Sequence, residues 1–243
     1  MVEAAVILVA GVGSRLRPIT DTRPKALAPV GDETILGRAV RLLLDFGVSR
    51  LVLATGYRED AVRAALGGLA AEVSYCPNPR YDSTQNSVSL ALCRDAVEGC
   101  SFFKLDGDVV FDLELLERIA APRAELSVGV DSSRKLDAEA MKVVVDGKMI
   151  RRFGKGVPLA ESHGESIGIE RIDASASQKL FDALDERVAV GVTNLYYEDV
   201  YSQLIEQGRL VAEVADVSGL RWTEVDTFED LETARRLFAP AGA

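Results

Sequence analysis

The stretch "VAGVGSRLRPITDTRPKAL", Val9 to Leu27, sets two glycines and two prolines among four basic residues, directly behind the apolar run Ala4–Ala10. A continuous apolar run of that length suits a strand buried on both faces. The loop therefore lies at the carboxyl end of a strand, where open α/β sheets bind their ligands. Gly11 and Gly13 let the backbone come close to a ligand and point N–H groups at it. Arg15, Arg17, Arg23 and Lys25 against Asp21 give residues 14–25 a local charge of +3, in a chain whose formal net charge is −10. Arginine forks and a lysine point charge are suited to phosphate oxygens. That combination points to a nucleoside triphosphate. Two other glycine loops fit less well. The Gly-Lys-Ser/Thr of a Walker loop is absent, and Leu16 stands where a dinucleotide-binding G-x-G-x-x-G needs its third glycine.

The chain of 243 residues is 48% apolar, enough for a substantial core. Its acidic balance argues against binding nucleic acid or anionic membranes. No segment reaches the roughly 18 apolar residues of a membrane span. The first apolar run reads as a strand and not as a signal peptide, so a cytoplasmic protein without membrane insertion is expected. Cys76, Cys93 and Cys100 are odd in number and lack metal-site spacing, and are read as buried small hydrophobes.

Strand-like and helix-like patterns alternate through the first hundred residues. Arg50–Thr55, Glu72–Cys76 and Ser101–Leu105 read as strands. Thr34–Phe46, Glu59–Leu66 and Asn86–Val97 read as helices. Farther on, "KVVVDGKMIRRF" predicts a hairpin turning at Asp146-Gly147, Arg221–Val225 a returning strand, and Leu195–Gln207 and Thr227–Phe238 helices. The pattern predicts an α/β fold with a mixed, mainly parallel central sheet and helices on both faces. With no clean linker, 1–243 is expected to be a single domain. Its nucleotide half would run to about residue 110 and its acceptor half from about 111.

Two carboxylate elements follow strands: Asp106 and Asp108 in "LDGDVVF", and Asp226 in "WTEVDTFEDLETA". Magnesium takes one or two carboxylates together with phosphate oxygens and water. Asp226 alone would also suit a helix N-cap.

The opening loop resembles the signature of the sugar-phosphate nucleotidyltransferase superfamily, L-A-A-G-x-G-x-R-L-x-P-x-T followed by P-K-x-L. Val9 replaces the usual alanine. The resemblance implies a Rossmann-like nucleotidyltransferase fold. It implies that Arg15 and Lys25 hold the triphosphate and stabilise charge during transfer, and that Ala10, Gly11, Gly13 and Ser14 cradle the nucleotide. It makes Asp108 and Asp226 the Mg2+ ligands and leaves Asp106 near the nucleotide. "NPRYDSTQNSVSL" is similar to a region of bacterial phosphocholine and inositol-1-phosphate cytidylyltransferases, which implies CTP. Asn78, Gln85, Asn86 and Ser87 would then lie near base and ribose, where amides suit a cytosine edge. By the same resemblance Lys155, with Lys142 as a second choice, would hold the acceptor phosphate, and Glu165 would contact the acceptor. Tyr196, Tyr197 and Glu198 in "NLYYEDVYSQLI" would form an aromatic, acidic receptacle for an acceptor cation. His163 receives no role.

The implied reaction moves CMP from CTP to a small phosphorylated or phosphonate acceptor such as phosphocholine. A uridylyl- or guanylyltransferase making a nucleotide-sugar, a non-catalytic nucleotide binder and a dinucleotide-dependent oxidoreductase remain as alternatives.

Overall fold

The computed structural model describes residues 2–239. In chain order the strands are β1 (Ala4–Leu8), β2 (Pro29–Val30), β3 (Glu33–Thr34), β4 (Arg50–Thr55), β5 (Glu72–Pro77), β6 (Phe102–Asp106), β7 (Val109–Phe111), β8 (Leu126–Asp131), β9 (Lys142–Asp146), β10 (Met149–Gly154), β11 (Glu165–Ile172), β12 (Ala212–Asp216) and β13 (Trp222–Glu224). The helices are α1 (Ile35–Phe46), α2 (Glu59–Ala65), α3 (Asn86–Ala91), α4 (Arg94–Val97), α5 (Leu113–Ala120), α6 (Ala174–Ala189), α7 (Tyr197–Glu206) and α8 (Phe228–Leu237).

Nine strands form one sheet in the order β5-β4-β1-β6-β11-β8-β12-β10-β9. From β5 to β6 every pairing is parallel. Beyond β6 only the β8–β12 pair is parallel; β11 runs antiparallel to both β6 and β8, and β10 to both β9 and β12. The sheet is thus mixed as expected, with its parallel character concentrated in the first half. One apolar core covers each face. Ile7, Leu51, Phe103 and Leu115 belong to one, and Val6, Phe102, Phe181 and Tyr201 to the other.

A third, smaller core decides where the opening loop goes. Leu16 is fully buried and packs with Val30, Val110, Val225, Leu231 and Phe238, from β2, β7, the end of β13 and α8. Burying one leucine contributes about 2 kcal/mol. The leucine that excluded a dinucleotide loop is therefore the anchor that ties this loop to the C-terminal helix.

Local signals account for many of the boundaries. Thr34 caps α1 by accepting the N–H of Gly37 at 3.0 Å. The helix expected over Asn86–Val97 breaks into α3 and α4. There Cys93 is buried with its thiol turned to the Ser89 carbonyl, and Arg94 reaches Asp182 and Asp185 on α6. Only Cys93 of the three cysteines is buried; Cys76 and Cys100 are partly exposed, contrary to expectation. No helix among the described residues is long and apolar enough to cross a membrane.

Candidate active site

The loop after β1, the turn after β6 and the end of β13 converge on a cleft of about 760 Å³. Gly13 sits at φ 68°, and a Cβ on it would lie 2.6 Å from the Cβ of Lys25. Only glycine lets the two arms of the loop cross here. The Thr20 hydroxyl donates to the Gly13 carbonyl at 2.9 Å and closes the loop. Lys25 is thereby aimed into the cleft. Its Nζ lies 2.5 Å from Asp108 Oδ2 and 2.6 Å from Asp226 Oδ1, while Arg15 Nη2 lies 2.6 Å from Asp226 Oδ2. Residues some two hundred positions apart in sequence meet in one charge cluster.

Burial alone would depress the Lys25 pKa, but Asp108 and Asp226 outweigh it and hold the ammonium firmly protonated. Burial would likewise raise Asp226, yet Lys25 and Arg15 keep it below the usual carboxylate range. Asp226 does not cap α8. Thr227 does, accepting from the Asp230 N–H while the Asp230 carboxylate accepts from the Thr227 N–H at 2.8 Å. The Asp226 side chain is thus left to the cleft.

Glu224 joins this pole, and the sequence reading missed it. One oxygen each from Asp108, Glu224 and Asp226 lie within 4.8 Å of one another. Its position on β13, two residues before Asp226, was the available signal, because alternate strand residues share a face. Removal from water, then Asp108 and Asp226, push its pKa up to about 8, although solvent still reaches the side chain and tempers the shift.

Ala10, Gly11, Gly13, Ser14, Gln85, Asn86 and Asp106 all line the cleft. Asn78 and Ser87 do not. Asn78 is buried and braces its own loop, donating to Thr84 Oγ1 and Ser89 Oγ at 3.0 Å each and accepting from the Arg80 N–H. Ser87 donates to the Leu195 carbonyl at 2.6 Å, and Asn86 Oδ1 accepts the N–H of Tyr197 at 3.1 Å. These two bonds stitch the amide loop to the start of α7.

On the acceptor side the expected residues divide. Tyr196, Glu198, Lys155 and Glu165 line the cleft. Lys155 Nζ lies 3.2 Å from Glu139 and 5.4 Å from the centre of the Tyr196 ring. Burial, and then Asp106, push Glu198 up to about 8, and burial also raises Glu165. Lys142 is buried, and its ammonium is spent on the carbonyls of Ala138, Ala140 and Lys155. Tyr197 is fully buried; its hydroxyl donates to Asp106 at 2.7 Å, and the Lys104 ammonium lies 3.6 Å from its ring centre. Lys142 and Tyr197 therefore face away from the cleft. Arg134, also missed, enters it stacked 3.8 Å from the centre of the Trp222 ring and bonded to the Trp222 carbonyl. Trp222 is held in turn by Asp131, 2.8 Å from its indole nitrogen. No local pattern announces Arg134, because the tryptophan that braces it comes 88 residues later.

Residues 5–134 match the MobA-like NTP transferase domain, and the chain belongs to that family. It is 32% identical over 97% of its length to the CMP-5'-(3-aminopropyl)phosphonate synthase of Streptomyces rubellomurinus, of which it spans 39%. It is 28% identical, again over 97%, to the bifunctional IPC transferase and DIPP synthase of Aquifex aeolicus, of which it spans 52%. The chain thus covers about half or less of these relatives. In fold it resembles the inositol-1-phosphate CTP transferase from T. maritima, with a TM-score of 0.81, 23% identity, and coverage of 100% of this chain and 98% of that one.

Proposed function

We propose that this member of the MobA-like NTP transferase family is a cytoplasmic cytidylyltransferase whose described residues form one nucleotidyltransferase domain. It would transfer CMP from CTP to a small phosphorylated or phosphonate acceptor and release pyrophosphate. The observation that carries the reading is the meeting of Arg15 and Lys25 with Asp108 and Asp226 beneath a glycine backbone. One place thus offers both charge for a triphosphate and carboxylates for a cation. The CTP-using relatives support the choice of base.

The carboxylate cluster fits a divalent ion. The second oxygen of Asp108 is buried without a hydrogen-bond partner among the described residues, and Lys25 supplies an ammonium to the first. Asp108, Asp226 and Glu224 are the residues that would hold Mg2+. When bound there, Mg2+ would supply Lewis-acid charge to phosphoryl oxygens. An acceptor phosphate or phosphonate oxygen is already anionic, so its attack on the α-phosphorus needs no protein base. The new bond is acceptor oxygen to α-phosphorus, and the bond broken leads to the β-phosphate, whose electron pair leaves with pyrophosphate. The chain's task is alignment and charge compensation. Arg15 and Lys25 offset charge on the departing pyrophosphate. Gln85 and Asn86 present amides to the base. Lys155 and Arg134 receive the acceptor's phosphate or phosphonate. Tyr196 and Glu198 form the wall toward any ammonium it carries.

The test is pyrophosphate release with each of the four NTPs against a panel of phosphocholine, aminoalkylphosphonates, inositol phosphate and sugar 1-phosphates. Turnover is expected with CTP and an acceptor that is not a sugar 1-phosphate. Release only with UTP or GTP and a sugar 1-phosphate would replace this reading by nucleotide-sugar synthesis.

A further inference from the structure

Behind the acceptor wall the protein buries a full positive charge that the transfer chemistry leaves unused. Lys104, in the middle of β6, is fully buried. Its register partner on β11 is Glu170, and the two form an ion pair at 2.7 Å with neither side chain exposed. Its ammonium also donates to the Gly168 carbonyl at 3.2 Å and to Asp106 Oδ1 at 3.3 Å, and lies 3.6 Å from the centre of the Tyr197 ring. From α7, Glu198 and Tyr201 complete the surroundings, each with a side-chain oxygen that has no hydrogen-bond partner. Three carboxylates thus surround one ammonium.

The backbone is shaped for this arrangement. The pairing of β11 with β8 slips between Ser166 and Glu170, and Gly168 sits in the slip at φ 75°. A Cβ at Gly168 would lie 2.5 Å from Asp106 Oδ2. The bulge therefore both turns a carbonyl toward Lys104 and leaves room for Asp106. An aromatic face flanked by carboxylates is the kind of cage that receives an ammonium group from a ligand. Here the chain's own ammonium occupies it.

We propose that Lys104 is a positioning residue for the acceptor half of the site: by filling the cage of Tyr197, Asp106 and Glu170 it fixes Asp106 and the first turn of α7, and so sets where Tyr196 and Glu198 meet the acceptor. The inference rests on the cytidylyltransferase reading for its kinetic consequence, though not for its structural one. Tyr197 joins the two poles, accepting from Lys104 across its ring, donating to Asp106, and giving its N–H to Asn86. Loss of the ammonium removes the contact on the ring, leaves the carboxylates facing one another and so loosens the Tyr197 and Asp106 pair that borders it.

The experiment compares Lys104→Ala, Lys104→Met and the double variant Lys104→Met/Glu170→Gln with the parent. Thermal stability is measured in methylammonium chloride and in sodium chloride at equal ionic strength, with KM for acceptor and for CTP measured alongside. Lys104→Ala should raise KM for the acceptor by roughly 10-fold, the scale of one charged hydrogen bond, with KM for CTP nearly unchanged. Methylammonium should restore both its Tm and its acceptor KM, while the bulkier tetramethylammonium does neither. Because Glu170→Gln removes the partner's charge, the double variant should fold better than Lys104→Met alone. The proposal is overturned if Lys104→Met keeps the parental acceptor KM, if methylammonium acts no differently from sodium on Lys104→Ala, or if the double variant is no more stable than Lys104→Met. Absence of CTP turnover in the parent would overturn the functional reading and leave the stability comparisons to decide the cage.

Discussion

The two poles of the cleft use charge in opposite ways. At the nucleotide pole, Arg15 and Lys25 reach Asp108 and Asp226 through contacts of 2.5–2.6 Å that face the cleft, so an incoming anion or cation can compete for each of them. At the acceptor wall, Lys104 is buried in ion pairs with Glu170 and Asp106 and against the ring of Tyr197, while Asp106, Glu198 and Tyr196 border the cleft in front of it. The first pole works by exchanging partners. The second works by holding a surface still. The difference follows from the fold. The loops after the parallel strands β1 and β6 carry Arg15, Lys25 and Asp108 into the cleft, whereas the antiparallel β11 reaches the cleft at its start and carries Glu170 behind it.

Removing a charge from the exchanging pole should have the largest effect. Asp108→Ala and Asp226→Ala should each lower kcat by roughly 100-fold or more, the scale of a lost transition-state contact, with Tm near the parent's. A folded Asp226→Ala enzyme with parental kcat would reduce that carboxylate to a spectator and erase the contrast between the poles. Arg15→Lys comes next. Losing the fork of a charged hydrogen bond is worth about 1.5–3 kcal/mol, which corresponds to roughly 10- to 150-fold in kcat/KM. Parental turnover would show that a point charge suffices.

At the holding pole the effects should be smaller and confined to the acceptor. Tyr196→Leu should raise KM by about 2- to 30-fold for an ammonium-bearing acceptor, the range expected for one cation–π contact, and leave KM for CTP alone. Equal losses on a neutral acceptor would make Tyr196 a packing residue.

The smallest effect concerns pH. Glu198, buried and beside Asp106, titrates near 8 when folded against an ordinary value of 4.5. A carboxyl with a raised folded pKa costs nothing while it is neutral in both states. It destabilises progressively as pH rises from about 4.5 toward about 8, and the penalty is constant above that. Glu198→Gln should therefore match the parent's Tm near pH 5 and exceed it by a few degrees near pH 8. Parallel Tm curves would mean that Glu198 is ionised throughout.

How far the sequence could be read also divides along this line. The opening loop was legible because its glycines, its cations and the preceding strand lie within two dozen consecutive residues, where close backbone approach and local charge leave a direct trace. Asp226 was legible as a carboxylate after a strand, yet whether it capped α8 depended on Thr227 and Asp230 taking that role. Lys142 and Lys155 are both lysines in the acceptor half, and nothing local tells them apart. The carbonyls of residues 138, 140 and 155 occupy one, while the other borders the cleft. Neighbouring Tyr196 and Tyr197 also face opposite ways, because α7 starts between them: Tyr196 is its N-cap and Tyr197 its first residue.

The sequence by itself determined an α/β chain with a basic glycine loop after β1, carboxylates at two later strand ends and an acidic surround that makes the basic loop stand out. These properties depend on residue type, short spacing and periodicity. Only the tertiary structure decided that Glu224 joins Asp108 and Asp226, that Arg134 leans on Trp222, and that Lys104 fills the cage behind Tyr197. Each of these depends on strands far apart in sequence coming into register. Register follows from how whole faces pack, and no short stretch of sequence records it.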